Sequence, residues 1–139
     1  MFKETKRITL NAAKIMGEKA LEKSEEIGKP FVFSVVDAGG HVIYTQRMED
    51  AFITSISIAI DKAFTAAAMK RATHVLTERV KPESELFGLN NTNNSRIIPF
   101  GGGLPVIVGG EVIGGVGASG GTVEEDIAVV TAALEALGL

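Results

Sequence analysis

The sequence predicts an α+β fold: one antiparallel β-sheet with α-helices against its faces. Three observations predict it. Two apolar segments, Phe31–Arg47 and Pro105–Ala118, are each interrupted by a turn containing Gly-Gly, the signature of a β-hairpin. Three other segments repeat apolar residues at helical spacing. These helical segments lie before, between and after the hairpins rather than after every strand, which favours antiparallel pairing over a parallel βαβ sheet.

The first helix is predicted from about Thr9 to Ile27. Leu10, Ala13, Met16, Ala20, Leu21 and Ile27 form its apolar stripe, with Gly17 and Ser24 on the same face, and Gly28 follows as the stop. Glu22 and Glu25 have the spacing of a metal-binding pair, but they belong to a run of alternating charges that reads as a solvated face. Phe31–Val36 is then a buried strand, Asp37-Ala38-Gly39-Gly40 a turn, and His41–Arg47 the return strand. Ile56, Ala59, Ile60, Ala63, Phe64 and Ala67 define a second helix from about Thr54 to Thr73. Its alanine content predicts close packing, on the sheet or on another copy of itself. A short helical piece is expected from Leu76 to Phe87, a loop over Asn90–Ser95, and an edge strand over Arg96–Phe100 that tolerates Pro99. The sheet then has about five strands.

Ten of the chain's 16 glycines fall between Gly101 and Gly121, and Glu111 is the only charge between Ile97 and Val123. Such a stretch belongs in a core. Pro105–Val108 and Glu111–Ala118 pair around Gly109-Gly110, whose freedom at positive φ suits a two-residue turn. Thr122 opens the last helix with Glu125 at capping-box spacing, and the helix ends near Leu137. Gly115-Val-Gly-Ala-Ser-Gly120 matches G-x-G-x-x-G, yet no parallel strand can follow the final helix, so a dinucleotide site is not expected. Small residues there let a helix approach the sheet. Ser119, Gly120, Gly121 and Thr122 also present N–H groups at a helix start, a candidate anion site. Glu124, Glu125 and Asp126 compete with an anion there.

The 139 residues are expected to form one domain, 1–139. No apolar run is long enough to span a membrane, and no apolar segment of the signal-peptide kind follows Met1–Arg7. Zero cysteine excludes disulfides, thiolate metal sites and a cysteine nucleophile, and fits a cytoplasmic protein. A net charge of −3 with one Tyr and no Trp gives no case for nucleic acid.

Several stretches, in this order, resemble one family. They are Val35-Val36-Asp37-Ala38-Gly39-Gly40-His41, Arg47-Met48, Ala59-x-x-Lys62-Ala63-x-Thr65-Ala66, Gly101-Gly102-Gly103-Leu104-Pro105, Gly110–Gly114, Val116–Gly121 and Glu125-Asp126. The chain resembles, over nearly its whole length, the GlcG/HbpS family of small haem-binding proteins, which includes the C-terminal domain of PduO proteins. The resemblance implies a profilin-like sheet, homodimers or larger homo-oligomers, and haem-associated function in several members. Glu49-Asp50 stands where members often have Asp-Gly.

Haem needs an axial ligand, an apolar slot and cations for its propionates. His74, expected at the end of the second helix with Lys70 and Arg71 nearby, is the best local match. His41 beside the Gly-Gly turn is the other histidine, either a ligand or a residue satisfied by local hydrogen bonds. Met48, Met69 and Tyr44 are candidate second ligands. Lys62 matches the family's helix motif and reaches a carboxylate or snorkels to water. Asp37 and Asp126 form a further candidate carboxylate pair. No hydrolase motif or closed zinc site is present. The leading expectation is a non-enzymatic haem or tetrapyrrole-binding, cofactor-handling protein of a catabolic gene cluster. The alternatives are an oligomeric accessory protein for diol, glycerol or glycolate utilisation, and a small enzyme or binder acting on a small carboxylate.

Overall fold

A computed structural model describes residues 1–139. The long elements follow the predicted order. Helix α1 spans Leu10–Ile27, strands β1 and β2 span Val32–Asp37 and Val42–Arg47, and helix α2 spans Ile53–Met69. Strands β3 and β4 span Gly103–Val108 and Glu111–Ser119, and helix α3 spans Val123–Glu135. The sheet has four strands in the order β2-β1-β4-β3, and every neighbouring pair is antiparallel. Each hairpin therefore supplies one central and one edge strand.

The expected fifth strand does not form. Arg96–Phe100 attaches to α2 through side chains instead of to a strand edge. Thr65 Oγ1 donates to the Arg96 carbonyl at 3.1 Å and accepts from Ile98 N at 3.0 Å. Arg96 Nε donates to Asp61 at 2.9 Å, and its guanidinium lies 3.9 Å from the Phe64 ring centre. Pro99 has no N–H to offer a ladder. The helical piece expected over Leu76–Phe87 is reduced to short 3₁₀ turns at Thr73–Leu76 and Glu78–Val80. The Asn90–Ser95 stretch also holds two such turns.

Alternation along β1 divides the core between the faces. Val32 and Val36 meet Ala59, Ala63 and Ala67 of α2. Phe33 and Val35 point the other way, into a cluster with Ala13 and Met16 of α1 and Val129, Val130 and Ala133 of α3. The stripe on α1 is narrower than expected: Ala13, Met16, Gly17, Ala20 and Ser24 are buried, whereas Leu10 and Leu21 are exposed. Its ends are as the sequence indicates, with Thr9 Oγ1 accepting from Ala12 N and Gly28 in the left-handed region. The β3–β4 turn uses φ values of 58° at Gly109 and 78° at Gly110. The capping box of α3 is complete, with Thr122 and Glu125 exchanging hydrogen bonds.

Helix α2 lies on the sheet at backbone contact. A Cβ at Gly117 would fall 2.1 Å from the Ala59 carbonyl oxygen, and one at Gly115 would fall 2.2 Å from that of Ala63. The G-x-G spacing that imitates a nucleotide loop thus places two gaps on one face of β4, under the alanines of α2. Both obstructing atoms are main-chain atoms of a helix, which cannot turn aside.

Gly117→Ala is therefore expected to destabilise the protein by about 3 kcal/mol through overpacking, whereas Ser57→Ala on the exposed face of α2 stays within about 0.5 kcal/mol. Urea denaturation of both variants measures the difference.

Candidate functional site

The second helix ends earlier than its apolar pattern suggests. Lys70 adopts φ 57°, and its N–H and that of Arg71 both donate to the Ala66 carbonyl. This left-handed cap turns the chain back into the 3₁₀ turn Thr73–Leu76. A 3₁₀ turn repeats every three residues, so positions 73 and 76 face one way. Thr73 and Leu76 are buried, and His74 and Val75 are exposed. Thr73 Oγ1 accepts from Gly103 N at 3.0 Å, which fixes the turn to the start of β3. His74 consequently sits on this short turn and not at the terminus of a long helix.

Neighbours of His74 come from distant parts of the chain. The bare α-carbon of Gly101 faces His74 Cβ together with Val123 and Ile127 of α3, all within 3.2 Å of where a Cβ would stand. Phe100 precedes Gly101 in the chain, and Phe100, Val75 and Val123 all leave substantial apolar surface in solvent. Lys70 and Arg71 are exposed, and Arg71 Nε donates to Met69 O at 3.1 Å. An accessible imidazole on an apolar surface, with two cations a few residues away, suits a flat apolar ligand that carries a metal and acidic groups.

Beneath Phe100 lies a buried ion pair. Lys62 Nζ donates to Asp126 Oδ2 at 2.7 Å and to the Ala118 carbonyl at 2.9 Å, and it lies 5.1 Å from the Phe100 ring centre. Asp126 Oδ1 accepts from Gly121 N at 3.0 Å. Both side chains are removed from water. Burial pushes the Lys62 ammonium below lysine's ordinary value and pushes the Asp126 carboxyl above aspartate's, and each shift is opposed by the partner's charge. Lys62 belongs to α2 on one face of the sheet and Asp126 to α3 on the other. The pair thus joins the two layers around the end of β4. The apolar pattern places Lys62 off the centre of the α2 stripe, but the buried face is turned toward it: Lys62 is buried with Ala59, Ala63 and Ala66, whereas Ile56, Ile60 and Phe64 are only half-buried.

The other predicted residues are scattered. His41 precedes edge strand β2, whereas Gly101, beside His74, leads into the opposite edge strand β3, so one chain does not bring its two histidines together. His41 is exposed, with Nδ1 3.4 Å from Asp37 Oδ1, an oxygen that also accepts from Gly39 N and His41 N. Those bonds, led by the one from His41 N, hold the Asp37 carboxyl below its ordinary value. Asp37 faces Gly114 at one end of β1, and Asp126 lies beyond the other end, where Val32 pairs with Ser119. The suggested Asp37–Asp126 pair is therefore absent. Met48 Sδ accepts from Phe31 N at 3.3 Å, and the Tyr44 hydroxyl donates to Gln46 at 3.0 Å. Met69 is the half-buried last residue of α2.

At Ser119–Thr122 the chain's own side chains occupy the polar groups. Ser119 Oγ bonds Ser55 Oγ at 2.9 Å, Asp126 takes Gly121 N, and Glu125 Oε1 takes Thr122 N at 2.9 Å. Glu22 pairs with Lys19 at 3.1 Å, and no group of three or more His, Asp or Glu side chains is placed to hold a metal ion. No helix is long and apolar enough to cross a membrane.

The model of the family described as "Haem degrading protein HbpS-like" matches residues 8–135. The uncharacterized 15.0 kDa protein in the dhaT-dhaS intergenic region of Citrobacter freundii is 52% identical over 128 residues, covering 92% of this chain and 90% of that protein. The corrinoid adenosyltransferase PduO of Citrobacter freundii is 42% identical over 120 residues, which make up 86% of this chain and 36% of PduO. The chain thus corresponds to about a third of PduO. Among solved structures, the PduOC:heme complex superposes with a TM-score of 0.92 at 37% identity, covering 96% of each chain.

Lys62→Met should destabilise the protein by about 3–5 kcal/mol, because Asp126 is left buried without its cation. Lys62→Met/Asp126→Asn should recover more than half of that loss, since the second change removes the stranded charge and keeps an acceptor for Gly121 N. Chemical denaturation of the two variants tests both values.

Proposed function

The chain belongs to the HbpS-like family, and from that premise we propose that it binds haem or a related tetrapyrrole around His74, as a cofactor-handling protein and not as an enzyme. The observation that carries this reading is the accessible His74 imidazole, held by the Thr73–Gly103 bond beside the apolar surface of Phe100, Val75 and Val123. Bound haem supplies an iron that accepts an axial imidazole and a plane that needs apolar contact. In this reading His74 provides the ligand, Phe100 and Val123 pack against the plane, and Lys70 and Arg71 pair with propionates. The match to the PduOC:heme complex supports the same ligand class. The PduO relative supports a place among the proteins of a catabolic gene cluster.

A second reading, an oligomeric accessory protein, has its own observation. Phe52 is 69% exposed and Ile53 80% exposed at the start of α2. Adjacent apolar side chains this open are suited to burial in an interface between copies.

Haemin titration followed by Soret absorbance, with size-exclusion chromatography of the same samples, tests both readings. Saturable stoichiometric binding is expected. His74→Ala should weaken it at least tenfold and shift the Soret band without changing oligomer size, and His41→Ala should leave it unaltered. Unchanged binding by His74→Ala overturns the site, and a monomer at micromolar concentration overturns the second reading.

A further inference from the structure

A cavity at the other end of the molecule is used by neither reading. Its volume is about 310 Å³, at the small end of the range for ligand pockets. Residues 5–8, preceding α1, line one side of it, Glu111–Ile113 of β4 and the Asp37–Gly39 turn line the others, and it is open to solvent. The segment before α1 is held at two points. Lys3 pairs with Glu111 at 2.9 Å, and Ile8 packs against Gly114, where Cδ1 lies 2.5 Å from the position a Cβ would take.

The lining divides by chemistry. Ile8, Ile43 and Ile113 make an apolar wall, and Lys6 and Arg7 bring two cations. The two acids of the lining are already engaged. Asp37 accepts from Gly39 N and His41 N, and Glu111 is paired with Lys3. Lys6 and Arg7 take part in no ion pair within the chain. Positive charge therefore remains unspent beside an apolar wall.

We propose that this cavity binds a small monocarboxylate with a short alkyl tail. The carboxylate takes the Arg7 guanidinium, whose fork matches its two oxygens, and the Lys6 ammonium. The tail lies along the isoleucines. A cavity of about 310 Å³ has room for an acid of a few carbons. Glu111 is offset by Lys3 and Asp37 offsets one of the two free cations, so the charge left in the lining matches a monocarboxylate better than a phosphate dianion. The site is independent of the haem reading, because it lies at the Gly114 end of β4 and His74 lies near the Ala118 end.

The full-length protein is titrated with acetate, propionate, butyrate, butylamine and inorganic phosphate while isoleucine methyl signals are followed by NMR. Saturable shifts at Ile8, Ile43 and Ile113 are expected with butyrate, and affinity should rise up to about fourfold per added methylene. Lys6→Gln/Arg7→Gln changes only exposed side chains, so its fold is retained, which its spectrum checks. It should bind butyrate at least tenfold more weakly. Butyrate shifts no larger than those from sodium chloride, or unchanged affinity in the variant, overturn the site. Phosphate or butylamine binding as tightly as butyrate overturns the ligand class.

Discussion

The backbone-to-backbone contact between α2 and β4 is the constraint on which the rest of the molecule depends. It exists because Gly115 and Gly117 carry no side chain where Ala59 and Ala63 present their carbonyl oxygens. With the helix this close, side chains on its inner face must be small, and α2 buries Ala59, Ala63, Ala66 and Ala67. Lys62 is the exception on that face. It escapes by running past Ala118 at the end of β4, where it meets Asp126 of α3. A lysine buried this way loses hydration worth several kcal/mol, so the carboxylate and the carbonyl are conditions of the close packing. The polar accounting is complete: no buried side-chain nitrogen or oxygen lacks a hydrogen-bond partner.

The same contact sets the position of His74. Because α2 is flush with the sheet, the turn at Lys70 returns the chain directly onto β3, and Thr73 is within reach of Gly103. His74 then falls beside Gly101 and the first turn of α3, three segments that are far apart in the chain. Function at this surface would thus rest on packing of the neighbouring strand, where Gly117 pairs with Gly103. The monocarboxylate cavity depends instead on Lys3, Ile8 and Gly114, so the two surfaces are built from different contacts.

Much of this was legible in the sequence, and the boundary between legible and hidden has physical causes. The hairpins, the three helices and the capping box all rest on local signals, such as Gly109-Gly110 and the Thr122–Glu125 spacing, and they are present. The glycine-rich motif also resolves as close helix packing. The fifth strand was misread because Ile97-Ile98 looks like an edge strand, and nothing local reveals that Thr65, Asp61 and Phe64 would claim the segment. The end of α2 was missed because its stop is Lys70 in a left-handed conformation, where glycine is the usual cue. The environment of His74 was hidden for a further reason: Phe100, Gly101, Val123 and Ile127 reach it only through tertiary structure. Lys62 and Asp126 were each picked out singly, but their pairing crosses the sheet and leaves no trace in spacing.

A crystal structure of the haem-loaded protein tests the assignment of His74 most directly. The expected result is iron bonded to the His74 imidazole, with the porphyrin plane against Phe100 and Val123 and the propionates directed toward Lys70 and Arg71. Iron bonded to His41, or haem seated away from the Thr73–Leu76 turn, would contradict it.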